Sequence, residues 1–322
     1  MPAPGAWQSD PMPIEISLLG CGHPYVPDLL GVIASEPDIR LAAAWDADRS
    51  GVPGAISSHV VSEAETAIRR ANAVVICAPT DQRPALCVQA ARAGRPLLIS
   101  TPIALSAAQA RAVAREIGRS RTPALAMLFL REVPALARLR PALRAGLLGR
   151  LSAVSASFAH AGALDGAFVG PGAWMLDPRR AGVGGLGDLT LQLLDALSVL
   201  GELPRLDAVA LDRPAGGRGD LGGIALGRWA DLPLSLRTSW VSRPGGLELT
   251  VSGARGSATL RDGTLELTGS DGAPERWIGA PPDPGEALRA FADRIRKRRL
   301  PRDGLAGAVA AHEVLERATV LS

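Results

Sequence analysis

Within residues 184–197, GGLGDLTLQLLDAL, the side chains of Asp188, Gln192 and Asp195, capable of proton or hydrogen-bond chemistry, stand among leucines. On a helix, spacings of four and three residues bring them into one stripe. A carboxyl group can take or give a proton, whereas an amide can donate and accept hydrogen bonds but cannot store one. Leu186, Leu189, Leu193, Leu197 and Leu200 line the opposite side, with Leu191 and Leu194 on the flank, so the helix is expected to be largely buried. The polar line then faces either water or a ligand cleft, and the helix alone leaves both open.

A second chemical signal lies near the start, in ISLLGCGHPY, where Gly20 and Gly22 follow an apolar run directly. In a dinucleotide-binding turn the first glycine permits a tight bend and the second lets the backbone approach a pyrophosphate. The following helix N-terminus favours its charge. Cys21, His23 and Pro24 complete the turn, and Tyr25 stands where a third glycine or alanine is usual. The next apolar run, IRLAAAWD, ends at Asp46, which can accept hydrogen bonds from an adenosine ribose. An acid there disfavours a 2′-phosphate, so NAD(H) is preferred, while Arg49 keeps NADP(H) open.

These residues need elements to position them. From Ile14 to about residue 129, short continuous apolar runs alternate with helical segments near 26–36, 82–93 and 105–119. That pattern predicts βαβ units and a parallel sheet covered on both faces. Residues 1–13 read as a flexible tail and 14–129 as the dinucleotide-binding domain. Residues 130–322 then form an α+β domain for substrate binding and oligomerisation. Its strand-like runs, separated by Gly and Asp-Gly turns, predict a large, mostly antiparallel open sheet. Two helices, near 284–299 and 304–320, close the chain. One uncovered sheet face suits a homodimer or homotetramer.

Composition narrows the function classes. A formal charge of +3 over 322 residues is too mild for a nucleic-acid binder, and RIRKRR at 294–299 lies on a helix whose Leu288, Phe291 and Ile295 form an apolar stripe. No run of eighteen consecutive apolar residues suggests a membrane span, and the N-terminus lacks a signal-peptide pattern. Cys21, Cys77 and Cys87 have neither metal-ligand spacing nor an even count, which favours a reducing, cytoplasmic setting without a metal site.

Further along, AVVICAPTDQRPALCVQAARAGRPLLISTPIALS (73–106), ALRAGLLGRLSAV and GAWMLDPRRAGVGGLGDLTLQLLDAL resemble, in order and spacing, segments of the Gfo/Idh/MocA oxidoreductases. That family includes inositol dehydrogenases and glucose-fructose oxidoreductase, and the resemblance runs from about residue 14 to 322. It implies a Rossmann domain followed by an α+β domain, a nicotinamide cofactor and a small sugar-like, cyclitol or biosynthetic-intermediate substrate. Ala78, Pro79, Thr80, Ser100 and Pro102 would then line the cofactor, and the helix bearing Asp188 would face nicotinamide and substrate.

The chain departs from that pattern at its chemical centre. Ser100 and Thr101 replace the glutamate and lysine of E-K-P, Gln192 replaces the histidine of the helix motif, and Thr190 replaces a glycine. The only lysine is Lys297, in the basic C-terminal helix. Thr101 and Gln192 can hydrogen-bond a carbonyl or hydroxyl but cannot act as proton reservoirs, which leaves Asp188 and His160 as titratable candidates. Trp174 and Arg179, with neighbouring Arg180, are candidates for substrate contact, as is Asp195. The expected activity is hydride transfer with an atypical proton relay. The alternative is a redox-silent regulatory or scaffold subunit, or a lyase or cyclase, that keeps the fold.

Overall fold

A computed structural model of the chain describes residues 13–217, 219–269, 274–301 and 303–321, so the expected tail lies outside it but for Pro13. The first layer is a parallel sheet of β1 (Ile14–Leu19), β2 (Ile39–Trp45), β3 (Ala73–Ile76), β4 (Leu97–Ile99) and β5 (Ala124–Ala126), in the order β2-β1-β3-β4-β5. Residues of β3 and β4 are buried on both faces, as continuous apolar runs in a covered sheet require. Helices α1 (Val26–Ser35), α2 (Ala64–Arg70), α3 (Arg83–Arg92) and α4 (Ala107–Arg119) connect these strands. Helix α2 is absent from the sequence reading. The order reverses between β1 and β3, and the crevice at the carboxyl ends of these strands is where open α/β sheets receive ligands.

Helix α5 (Pro134–Arg144) leads into β6 (Leu151–Ala159), then α6 (Pro178–Ala181) and α7 (Gly185–Leu200). Strands β7 (Arg205–Leu211), β8 (Gly222–Trp229), β9 (Leu232–Ser239), β10 (Gly246–Gly253), β11 (Gly256–Arg261), β12 (Thr264–Gly269) and β13 (Glu275–Ile278) follow. After α8 (Gly285–Arg296) and α9 (Ala306–Arg317) comes β14 (Thr319–Val320). The second sheet has nine strands in the order β13-β12-β11-β10-β6-β9-β8-β7-β14. Its pairings are antiparallel except β6 with β9 and β7 with β14, so it is mixed but mostly antiparallel. Its inner face packs against α7. Outward residues Ile224, Arg237, Ser157 and Glu248 stand in register across β8, β9, β6 and β10.

Segment Pro178–Leu200 is long and apolar enough to cross a membrane by length and composition, but most of it is buried as the central core helix. All but two residues of α7 are buried, including Asp188, Gln192 and Asp195.

The division near residue 129 follows chain order, yet the two C-terminal helices return to the first layer. Leu288 and Phe291 of α8 join the core that holds Leu29 and Val32 of α1. Arg289 pairs with Glu36 at 3.0 Å, and Arg296 with Asp38 at 2.5 Å. Leu305, Ala308 and Val309 pack with Ala110, Val113 and Ile117 of α4, where Arg111 also pairs with Glu313. Within the basic run, Arg294, Arg296 and Lys297 each hold a carboxylate.

Candidate active site

Gly20 sits at φ +92°, and a Cβ there would lie 2.1 Å from the Ala78 backbone nitrogen. Only glycine fits, because the turn leaving β1 is pressed against the end of β3. The next amide, Cys21 N–H, donates to Asp46 Oδ2 at 2.5 Å, and Asp48 N–H donates to Oδ1 at 2.9 Å. Asp46 therefore ties the ends of β1 and β2 together with the two oxygens expected to face a ribose. A Cβ on Gly22 would meet Pro171 at 2.8–2.9 Å, because the 3₁₀ segment Gly170–Leu176 lies across the turn. The remaining space, bordered by Gly22, Asp46, Pro79, Gln82, Pro171, Trp174 and Arg180, is about 150 Å³. Arg49 is exposed beside it.

Beneath this cover lies the group able to handle a proton. Asp188 is 5% exposed, and burial lifts its carboxyl from the ordinary range to about 7. The nearby Arg83 guanidinium opposes that rise, as does the Trp240 indole N–H, which faces the carboxyl just outside ordinary hydrogen-bond geometry. The negative charge of Asp188 also adds to the burial that pushes the Tyr25 phenol upward. The unusual residue of the glycine turn thus reaches the same centre. Its ring lies 4.8 Å from His23 and 5.4 Å from Phe129. His23 is buried, with its pKa well below the usual value through desolvation, and its Nδ1 accepts from Tyr25 N–H. It is a neutral packing residue against Trp174, 5.8 Å away.

The stripe on α7 meets the carboxyl ends of β4 and β5. Gln192 Nε2 donates to Thr101 Oγ1 at 3.3 Å and to Met127 O at 3.0 Å, so these two polar candidates are brought together. Ser100, Thr101 and Pro102 are buried at the end of β4, and Ala78, Pro79 and Thr80 at the end of β3. Three other candidates lie elsewhere. Both oxygens of Asp195 are held by Arg131, at 2.7 and 2.5 Å, which makes an interlayer ion pair of a residue expected to touch substrate. The Arg179 side chain is 79% exposed and folds onto Asp177, so it points away from the cleft, while Arg180 borders it. His160 Nδ1 accepts from Gly162 N–H, and its ring meets Phe168, which in turn lies tilted against Trp240 at 4.4 Å. Two aromatic rings therefore separate it from Asp188.

The sequence reading overlooked Arg83. It is fully buried; Nε donates to Ala78 O at 2.7 Å, Nη1 donates to Ser100 O and Pro102 O, and the guanidinium lies 5.4 Å from the centre of the Trp174 ring. Trp174, expected to contact substrate, is buried as the lid on this arginine. The three cysteines are free and buried, with thiols pushed up to about 12, so none is a nucleophile.

A glycine turn, an acid ending β2, and a buried carboxyl on a helix backed by a large mixed sheet are the geometry against which relatives can be judged. Residues 136–259 match the family model for the GFO/IDH/MocA C-terminal domain. Over 276 residues the chain is 27% identical to an inositol 2-dehydrogenase of Rhizobium meliloti (strain 1021), covering 81% of this chain and 75% of that protein. An inositol dehydrogenase homolog from Azotobacter vinelandii, solved with NAD⁺, superposes with TM-score 0.78 at 17% identity, over 95% of this chain and 94% of the other. A 3-ketoreductase from Actinomadura kijaniata, solved with NADP, gives 0.78 at 18% identity over 96% and 99%. The likeness in fold extends through both layers, the parallel sheet as well as the large mixed one.

Proposed function

We propose that this chain is a nicotinamide-dependent oxidoreductase, with NAD(H) favoured over NADP(H), acting on a small sugar-like, cyclitol or biosynthetic-intermediate substrate. The observation that carries the reading is Asp188: a buried carboxyl with a pKa of about 7, electrostatically coupled to Tyr25 of the glycine turn and to Arg83. The Gly20 bend and Asp46 suit a dinucleotide, and Ala78, Pro79, Thr80 and Pro102 would flank it. The 150 Å³ left over the turn is below the ~300–1,000 Å³ of ordinary ligand sites. Segment Gly170–Leu176 must therefore move aside for the cofactor.

A bound nicotinamide supplies or accepts hydride. In oxidation Asp188 would take the proton of the substrate hydroxyl, and in reduction it would return that proton to the carbonyl oxygen. Thr101 and Gln192 hold the oxygen in place by hydrogen bonds. Asp188 thereby covers the role for which lysine and histidine are missing. Calorimetric titration with NADH, NADPH and NAD⁺ tests the reading: micromolar binding that prefers NADH and disappears in Asp46→Ala supports it, and absence of binding to all three rejects it. A redox-silent role is favoured by one observation, the covering of Gly22 by Pro171 with Cys21 N–H already given to Asp46.

A further inference from the structure

Arg83 carries a charge the fold does not neutralise at contact distance. Among the described residues no carboxylate comes within ion-pair range of it, and its hydrogen-bond partners are backbone carbonyls. Burial lowers its pKa only to about 10, so the cation persists at neutral pH. Asp188 and Asp81 act on it only from beyond ion-pair range, a desolvated guanidinium without a contacting carboxylate is costly, and one arm is left over: Nη2 is buried without a hydrogen bond. Thr80 Oγ1, three residues earlier in the turn before α3, is likewise buried without a partner. Over the cation lies Trp174, whose ring face offers only weak cation–π compensation. Trp174 also borders the space beside Gly22 and Asp46.

We propose that Arg83 Nη2, with Thr80, is the seat for an oxyanion of the ligand, and that Trp174 occupies this seat in the closed form. The planar fork of arginine suits a carboxylate or phosphate, and the three carbonyl tethers fix its direction in advance. The oxyanion is either the carboxylate of an acidic substrate or a phosphate of the dinucleotide. The proposal rests on the site being a ligand cleft and is independent of hydride transfer.

The test is calorimetric titration with D-gluconate, its uncharged counterpart D-glucitol, inorganic phosphate and NADH, on the wild type, Arg83→Gln and Trp174→Ala. A substrate carboxylate gives gluconate binding at least tenfold tighter than glucitol, a preference that Arg83→Gln abolishes without affecting NADH. A dinucleotide phosphate gives instead a tenfold or greater loss of NADH affinity in Arg83→Gln. In either case Trp174→Ala, which keeps arginine and tethers, binds the relevant anion more tightly than wild type. Arg83→Lys keeps the charge but loses the fork, and it replaces Arg83→Gln if that variant fails to fold. Oxyanion binding without NADH binding would sustain this seat while rejecting the oxidoreductase reading. The proposal is overturned if Trp174→Ala binds none of the anions, or if the Arg83 variants bind them as the wild type does.

Discussion

At the residue scale, Asp188 couples stability and turnover to pH. Its folded pKa of about 7 lies above that of a free carboxyl, so the folded state keeps a proton that the unfolded chain has already released. Stability from this group is therefore greatest at low pH, falls as pH rises from about 4, and levels off above about 7. Asp188→Asn removes the penalty, so its gain on wild type should grow from roughly 2 kcal/mol at pH 5 to roughly 4 kcal/mol at pH 7–8, several degrees in melting temperature. Turnover in that variant should fall ~10²–10⁴-fold. In the wild type, reduction should decline through about pH 7 and oxidation should rise through it; coincident profiles in both directions would remove Asp188 from proton transfer. Arg131 and Asp195 give a second test. Arg131→Met strands a carboxylate that is 1% exposed and should cost roughly 2–3 kcal/mol, less than a fully buried pair because Arg131 is 37% exposed. Adding Asp195→Leu should restore most of that loss in denaturant melts.

At the scale of elements, what the sequence disclosed was local. The strand ending at Gly20, the acid ending β2, and the polar stripe of α7 are written in apolar period, turn residues and spacing, and each lies within a few residues of its cause. What the stripe faces is a different matter. Arg131 comes from the segment after β5, and nothing in its local sequence marks it as the partner of Asp195. Arg83 was illegible for the same reason. An arginine in the first turn of a helix reads as solvated, and its burial is made by Trp174, far along the chain. Pro171 over Gly22 is likewise a meeting of distant segments. Because that contact closes the space a dinucleotide needs, Pro171→Gly should loosen Gly170–Leu176 and speed NADH association in stopped-flow fluorescence. An unchanged rate would mean that this segment does not control entry.

At the scale of the whole molecule, the nine-stranded sheet presents an outer face on which Ile224 and Leu226 are about half exposed, beside a depression lined by Ser155, Ser157, Ser235, Arg237, Glu248 and Thr250. Apolar side chains amid small polar ones on a broad sheet suit a second copy of the same face. On that reading the wild type should run as a dimer or tetramer in light scattering and the double variant Ile224→Glu, Leu226→Glu as a monomer. A monomeric wild type would discard that interface.

The return of α8 and α9 to the first layer bears on the order in which the molecule can be made. Chains emerge from the ribosome N-terminus first, and a nucleotide-binding layer at the front would ordinarily begin folding while the rest is still being translated. Here the apolar sides of α1 and α4 wait for partners encoded at the far end. Of the two layers, the one translated earlier is therefore the one completed later, and until then the apolar sides of α1 and α4 stay uncovered.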